Sequence, residues 1–100
     1  MGSEKKKILL VDDSDLVLNM LSQYLSEEGF EIVTAGNGLE GVLKAYATVP
    51  DVIVMDVEMP RLQGYQASRL LKSKREIREI PIIMHTTLTE DKDKFWALTS

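Results

Sequence analysis

The sequence predicts an α/β fold: one parallel sheet with helices on both faces. Three observations carry this. Short apolar runs alternate with stretches of helical periodicity, in the order β-α-β-α-β-α-β-α, and right-handed crossovers make such strands parallel. The run Val52-Ile53-Val54-Met55 is mostly β-branched and uninterrupted by polar residues, as a strand buried on both faces requires. Two of the runs, Val52–Met55 and Ile8–Val11, end directly in carboxylates, Asp56 and Asp12-Asp13. In open α/β sheets the carboxyl edge of the strands is where ligands bind.

The elements follow in order. Ile8 to Val11 is the first strand. Ser14 or Asp15 caps the first helix, whose stripe is Leu18, Leu21 and Leu25, with Val17, Met20 and Tyr24 beside them. Gly29 is a left-handed stop. Phe30 to Thr34 is the second strand, and Ala35-Gly36-Asn37-Gly38 is a turn. A second helix spans about Leu39 to Thr48 and buries Leu39, Val42, Leu43 and Tyr46, and Pro50-Asp51 breaks it before the strand that ends at Asp56. A loop from Met59 to Gly64 leads to a third helix, about Tyr65 to Lys74, with Ala67, Leu70 and Leu71 inward. Lys74 to Glu79 is a charged connection pinned by Ile77. Ile80 to Met84 is the fourth strand, entered through Pro81. A final helix capped by Thr89 runs through about Leu98, with Glu90 and Asp91 at its positive end.

Bulk properties narrow the function. One hundred residues make a single domain, 1–100, in which 1–6 form a solvated lead-in and Met1-Gly2-Ser3 has the look of a cloning scar. The formal net charge of −4, with no Lys/Arg-rich face, argues against nucleic acid. No apolar run reaches membrane-spanning length, and the start has no signal-peptide core. Cysteine is absent, which excludes disulfides, thiol nucleophiles and Cys-ligated zinc and fits a cytoplasmic location.

The chemistry lies at the strand ends. A helix cap or a turn explains each aspartate taken singly. Three carboxylates brought to one sheet end repel one another and call for a cation. Mg²⁺ takes hard oxygen ligands, is held by one or two carboxylates plus phosphate oxygens, and stabilises charge on a transferring phosphoryl group. Asp12 and Asp13 are the candidate metal ligands. Asp56, alone at the tip of a central strand, is the candidate nucleophile. Thr86, just past the fourth strand, carries a hydroxyl suited to a phosphoryl oxygen. Thr87 has a weaker claim, and the single histidine, His85, reads as a strand-end residue. Phe95 and Trp96 read as core or interface.

Taken together, Val11-Asp12-Asp13-Ser14, Ala35-Gly36-Asn37-Gly38-Leu39-Glu40, Val54-Met55-Asp56-Val57-Glu58-Met59-Pro60 with Gly64, and Pro81-Ile82-Ile83-Met84-His85-Thr86 resemble the receiver domain of bacterial two-component response regulators, over about Lys6 to Thr99. The resemblance implies a flavodoxin-like sheet, Mg²⁺ held by Asp13, Asp12 through water, Asp56 and the backbone carbonyl of Glu58, and phosphoryl transfer from a sensor histidine kinase or phosphotransfer protein to Asp56. It implies that Thr86 then moves toward the phosphoryl group and switches an interaction surface, a population shift set off by one local charge change. It implies a phosphorelay signalling domain, not an enzyme, that catalyses its own phosphorylation and dephosphorylation. The family position of Glu58 tunes hydrolysis, either by repelling water or by reaching into the metal site.

The sequence departs from the family pattern at its end. The family's fifth strand, with its lysine, and the fifth helix have no counterpart, so the expected strand order is 2-1-3-4. The fourth strand is then an open edge that invites self-association. Two other readings stand beside this one. The first is a truncated receiver acting only as an assembly module without phosphotransfer. The second is a haloacid-dehalogenase-type phosphatase, suggested by Asp13-Ser14-Asp15-Leu16-Val17 but poorly served by Asp91 and Asp93 and by the chain's length.

Overall fold

The computed structural model describes residues 5–56, 64–85 and 95–98; for Gly64, Tyr65, His85 and 95–98 it describes the backbone. Its elements are β1 (Lys7–Val11), α1 (Asp15–Glu27), β2 (Glu31–Ala35), α2 (Gly38–Thr48), β3 (Val52–Asp56), α3 (Gly64–Lys72), α4 (Arg75–Arg78), β4 (Ile82–His85) and β5 (Phe95–Leu98). The sheet order is β2-β1-β3-β4-β5. The first four strands pair in parallel, in the expected order 2-1-3-4.

Strand alternation divides the core in two. Leu9, Val11, Ile53, Met55, Ile82 and Met84 face one side, where Val42 and Ala45 of α2, Ala67 and Leu71 of α3 and Ile77 of α4 cover them. Ile8 and Leu10 face the other side, against Leu18 of α1, with Leu21, Leu25, Phe30, Ile32, Val52 and Val54 packed around them. Apolar burial of this kind is the main drive for holding helices on the sheet.

Each helix boundary has a local cause. The Ser14 hydroxyl caps α1 by accepting from Val17 N at 3.2 Å, so Ser14, not Asp15, is the cap. The helix ends in a Schellman arrangement. Gly29 sits at φ 100°, its N–H donates to Ser26 O at 3.0 Å, and Phe30 N donates to Leu25 O at 3.1 Å. Asn37 caps α2, its Oδ1 accepting from Glu40 N at 2.9 Å. Glu40 reaches back, Oε1 accepting from Gly36 N at 2.9 Å, which closes the turn before the helix. At the end of α3, Lys72 Nζ donates to Arg78 O at 2.8 Å and Ile80 O at 3.1 Å and ties α4 down. Burial lowers the pKa of that lysine, and Glu79 opposes the shift.

Four expectations need correction. The buried face of α2 is Gly38, Gly41, Val42 and Ala45, while Leu39, Leu43 and Tyr46 are exposed. The reason is Gly41, which lets the helix backbone approach Val11 so closely that an added Cβ would lie 2.8 Å from Val11 Cγ2. Leu70 of α3 is likewise exposed. Residues 75–78 of the charged connection form a turn of helix, with Ile77 buried as expected. The largest difference lies at the end: Phe95–Leu98 is not helical but a strand, β5, antiparallel to β4. An unpaired sheet edge offers a row of free backbone groups, and a short run rich in aromatic residues satisfies them by pairing. The β4 edge is therefore covered within the chain, and association through it requires β5 to leave.

Val49, exposed, ends α2 with a φ of 46° and a ψ of 69°. Left-handed backbone costs a β-branched residue roughly 1–2 kcal/mol. Val49→Asn is expected to raise stability by about 1 kcal/mol, read as a higher urea midpoint at unchanged slope.

Candidate functional site

The site begins with two strands that end level. Val11 is in register with Met55 and Met55 with Met84, so Asp12 follows β1 where Asp56 closes β3. The Asp12 backbone continues the ladder by one bond, its N–H donating to Ala35 O at 3.1 Å. Its side chain then turns the chain: Oδ1 accepts from Ser14 N at 2.9 Å. One side-chain oxygen thus fixes Asp12, and the next residue's hydroxyl fixes the start of α1.

Asp12 and Asp56 are each only 3% exposed, and Asp13 beside them is exposed. One carboxylate oxygen from each of the three lies within 4.8 Å of the others. The juxtaposition expected from the sequence is present. Among the described residues this is the single group of three or more metal-competent side chains so close together. All three donors are hard carboxylate oxygens, the chemistry Mg²⁺ or Ca²⁺ prefers over softer metals. Two buried carboxylates against a third also concentrate negative charge where little water screens it, so a cation fits the site electrostatically as well.

Glu58, Thr86, Thr87 and Thr89 lie outside the described residues. The backbone of His85 sits in register with Asp56 and with Phe95, on the strands beyond the acidic cluster.

Gly36 and Glu40 support the site from the side, through the turn that follows Ala35. The Gly36 N–H, and then Lys44 with its Nζ 3.1 Å from Oε2, hold the Glu40 carboxyl below its ordinary value of 4.5. A depressed carboxylate pKa contributes stability above the unfolded value, and the contribution disappears as pH falls through the folded one. Glu40→Ala is therefore expected to cost at most about 1 kcal/mol at neutral pH, since the pair is solvent-screened. The difference from the unsubstituted protein should shrink as pH is lowered past the ordinary glutamate value, measured by chemical denaturation across pH.

Gly41 was not singled out by sequence. The signal was there, because a glycine inside a helical pattern costs about 1 kcal/mol relative to alanine and usually marks a close approach.

Comparison with known proteins decides what the acidic cluster belongs to. The response regulator receiver domain matches residues 8–100. The chain belongs to this family. Among curated proteins, the receiver is 41% identical to Protein PilH of Pseudomonas aeruginosa over 90 residues, covering 90% of this chain and 74% of PilH. It is 37% identical to the alkaline phosphatase synthesis transcriptional regulatory protein PhoP of Bacillus subtilis over 93 residues, covering 93% of this chain but only 38% of PhoP. Of solved structures, the chemotaxis protein CheY4 of Vibrio cholerae superposes with a TM-score of 0.81 at 36% identity, over 87% of this receiver and 72% of CheY4. The receiver is thus a signalling domain with the CheY-like, flavodoxin-like fold. No described helix is long and apolar enough to cross a membrane.

Proposed function

We propose that this receiver takes a phosphoryl group on Asp56 from the phosphohistidine of a sensor histidine kinase or phosphotransfer protein, and that the modified domain presents an altered interaction surface. The observation that carries this reading is the meeting of three carboxylates, two of them buried, at the carboxyl ends of β1 and β3. In the transfer, an Asp56 carboxylate oxygen forms a bond to phosphorus, the bond from phosphorus to the histidine nitrogen breaks, and the nitrogen leaves with a proton. Asp12, Asp13 and Asp56, with the backbone carbonyl of Glu58, would hold Mg²⁺, which supplies charge neutralisation to the phosphoryl oxygens. Asp12 is positioned for this by the Ser14 N–H, and Asp13 stays open to solvent, where an incoming phosphodonor arrives. Thr86 would donate its hydroxyl to the phosphoryl group and move with it, the step that couples modification to the surface. Loss of the group by hydrolysis on the same residues resets the domain. A cytoplasmic setting suits this chemistry, since the phosphodonors are made there.

Incubation with acetyl phosphate and Mg²⁺, followed by intact-mass analysis, tests the reading. A species heavier by one phosphoryl group, lost on alkaline treatment as an acyl phosphate is, is expected. Absence of that species under conditions that label a known receiver would favour a module that binds without transferring.

A further inference from the structure

One peptide unit joins the acidic cluster to a charged pair on α2. The carbonyl of Ala35 accepts from the Asp12 N–H at 3.1 Å. The amide of the same peptide bond, the Gly36 N–H, donates to Glu40 Oε1 at 2.9 Å. Glu40 is itself held. Lys44 Nζ lies 3.1 Å from its Oε2 and donates to Thr34 O at 2.7 Å, one peptide earlier in β2. The Asn37 side chain fixes the backbone from which Glu40 reaches, accepting from Glu40 N at 2.9 Å. The end of β2 is therefore clamped from α2 at two successive peptides.

What stands on the far side of that peptide gives the clamp its consequence. Val11 pairs with Ala35, and Asp12 is the first residue past the ladder, buried and turned toward Asp13 and Asp56. A peptide unit is planar and rigid, so a tilt at Gly36 N is also a tilt at Ala35 O. A carboxylate on the N–H also polarises the unit, which makes its carbonyl a better acceptor for Asp12. Glu40 is not one of the clustered carboxylates, so it acts on them through the backbone. Resting on the metal site proposed above, we propose that Glu40, gripped by Lys44, is a positioning residue: it locks the Ala35–Gly36 peptide and thereby the place Asp12 takes in the site. Partners that orient a metal ligand in this way commonly set metal affinity by tenfold or more.

Calorimetric titration of Mg²⁺ into the full chain tests this, with Glu40→Ala, Glu40→Gln and Lys44→Met beside the parent. Glu40→Ala should weaken Mg²⁺ binding about tenfold. Glu40→Gln keeps an oxygen for the Gly36 N–H and should stay within about threefold of the parent. Lys44→Met releases the clamp and should weaken binding about threefold. Simple charge attraction at a distance gives a different pattern: it makes Gln as weak as Ala, and it tightens binding when the lysine is removed. Amide exchange in chelator supplies a second readout. In Glu40→Ala the Asp12 N–H should speed up by more than those of Leu9 and Leu10 in the same strand, whereas a general loss of stability speeds all three alike. Glu40→Ala binding like the parent, Gln binding as weakly as Ala, tighter binding by Lys44→Met, uniform exchange or a parent that binds no Mg²⁺ would each overturn the proposal. Acetyl phosphate labelling of the parent keeps the two readings apart. Labelling without the expected differences in Mg²⁺ binding rejects the positioning role alone, and those differences without labelling reject phosphoryl transfer alone.

Discussion

Replacing Asp56 with asparagine is expected to abolish phosphoryl uptake completely while making the metal-free protein more stable. The two effects have one origin. Asparagine keeps the shape of the side chain but removes the nucleophilic oxygen, so no acyl phosphate forms. It also removes one of three like charges whose oxygens lie within 4.8 Å, two of them on residues that are 3% exposed. Relief of that repulsion should add about 1–3 kcal/mol in metal-free buffer. Divalent cation should produce the opposite ordering. The parent protein should gain about 2.7 kcal/mol at a Mg²⁺ concentration one hundred times its dissociation constant, and the variant much less. Thermal melts with chelator and with added Mg²⁺ measure both quantities. A variant less stable than its parent in chelator would show that the cluster is not under charge strain.

Gly41→Ala is expected to destabilise the fold by about 1–3 kcal/mol, against the usual gain of nearly 1 kcal/mol for alanine over glycine inside a helix. The added methyl would meet Val11 Cγ2 at 2.8 Å and Cγ1 at 3.0 Å. Val11 sits at 1% exposure in the middle of the core, so it has no room to withdraw. The strain also falls one residue before Asp12, so the variant should bind Mg²⁺ more weakly as well as unfold earlier. A double-mutant cycle with Val11→Ala checks the cause: a shared clash makes the two changes couple by more than about 0.5 kcal/mol, whereas independent effects add.

The sheet was legible in the sequence because its strands are short, continuous apolar runs with few other ways to be buried. Val52 to Met55 and Ile8 to Val11 leave no choice of face, and the aspartates that follow fall at one end whatever the precise register. The helix faces were harder. In α1, Leu18, Leu21 and Leu25 pointed inward as expected, because only one leucine stripe fits the sheet. In α2, large apolar side chains suggested the wrong face. The buried side is instead the small one, Gly38, Gly41 and Ala45, since closeness to β1 rather than bulk decides the packing there. The segment around Phe95 and Trp96 was ambiguous for a different reason. A short apolar run is compatible with helix or strand, and the edge of β4, where His85 lies in register with Phe95, tips it to strand. That the three aspartates meet could be read from spacing and topology, whereas the fine support around them depends on backbone hydrogen bonds from Ser14 and Gly36 that spacing does not reveal.

The link from Asp12 Oδ1 to the Ser14 N–H, and from the Ser14 hydroxyl to the Val17 N–H, makes the opening turn of α1 a built-in reporter. Any ligand that draws Asp12 aside loosens or tightens two amide protons in sequence. Their exchange with deuterated solvent would then record occupancy of the acidic cluster from the outside, without a label and without perturbing a single aspartate.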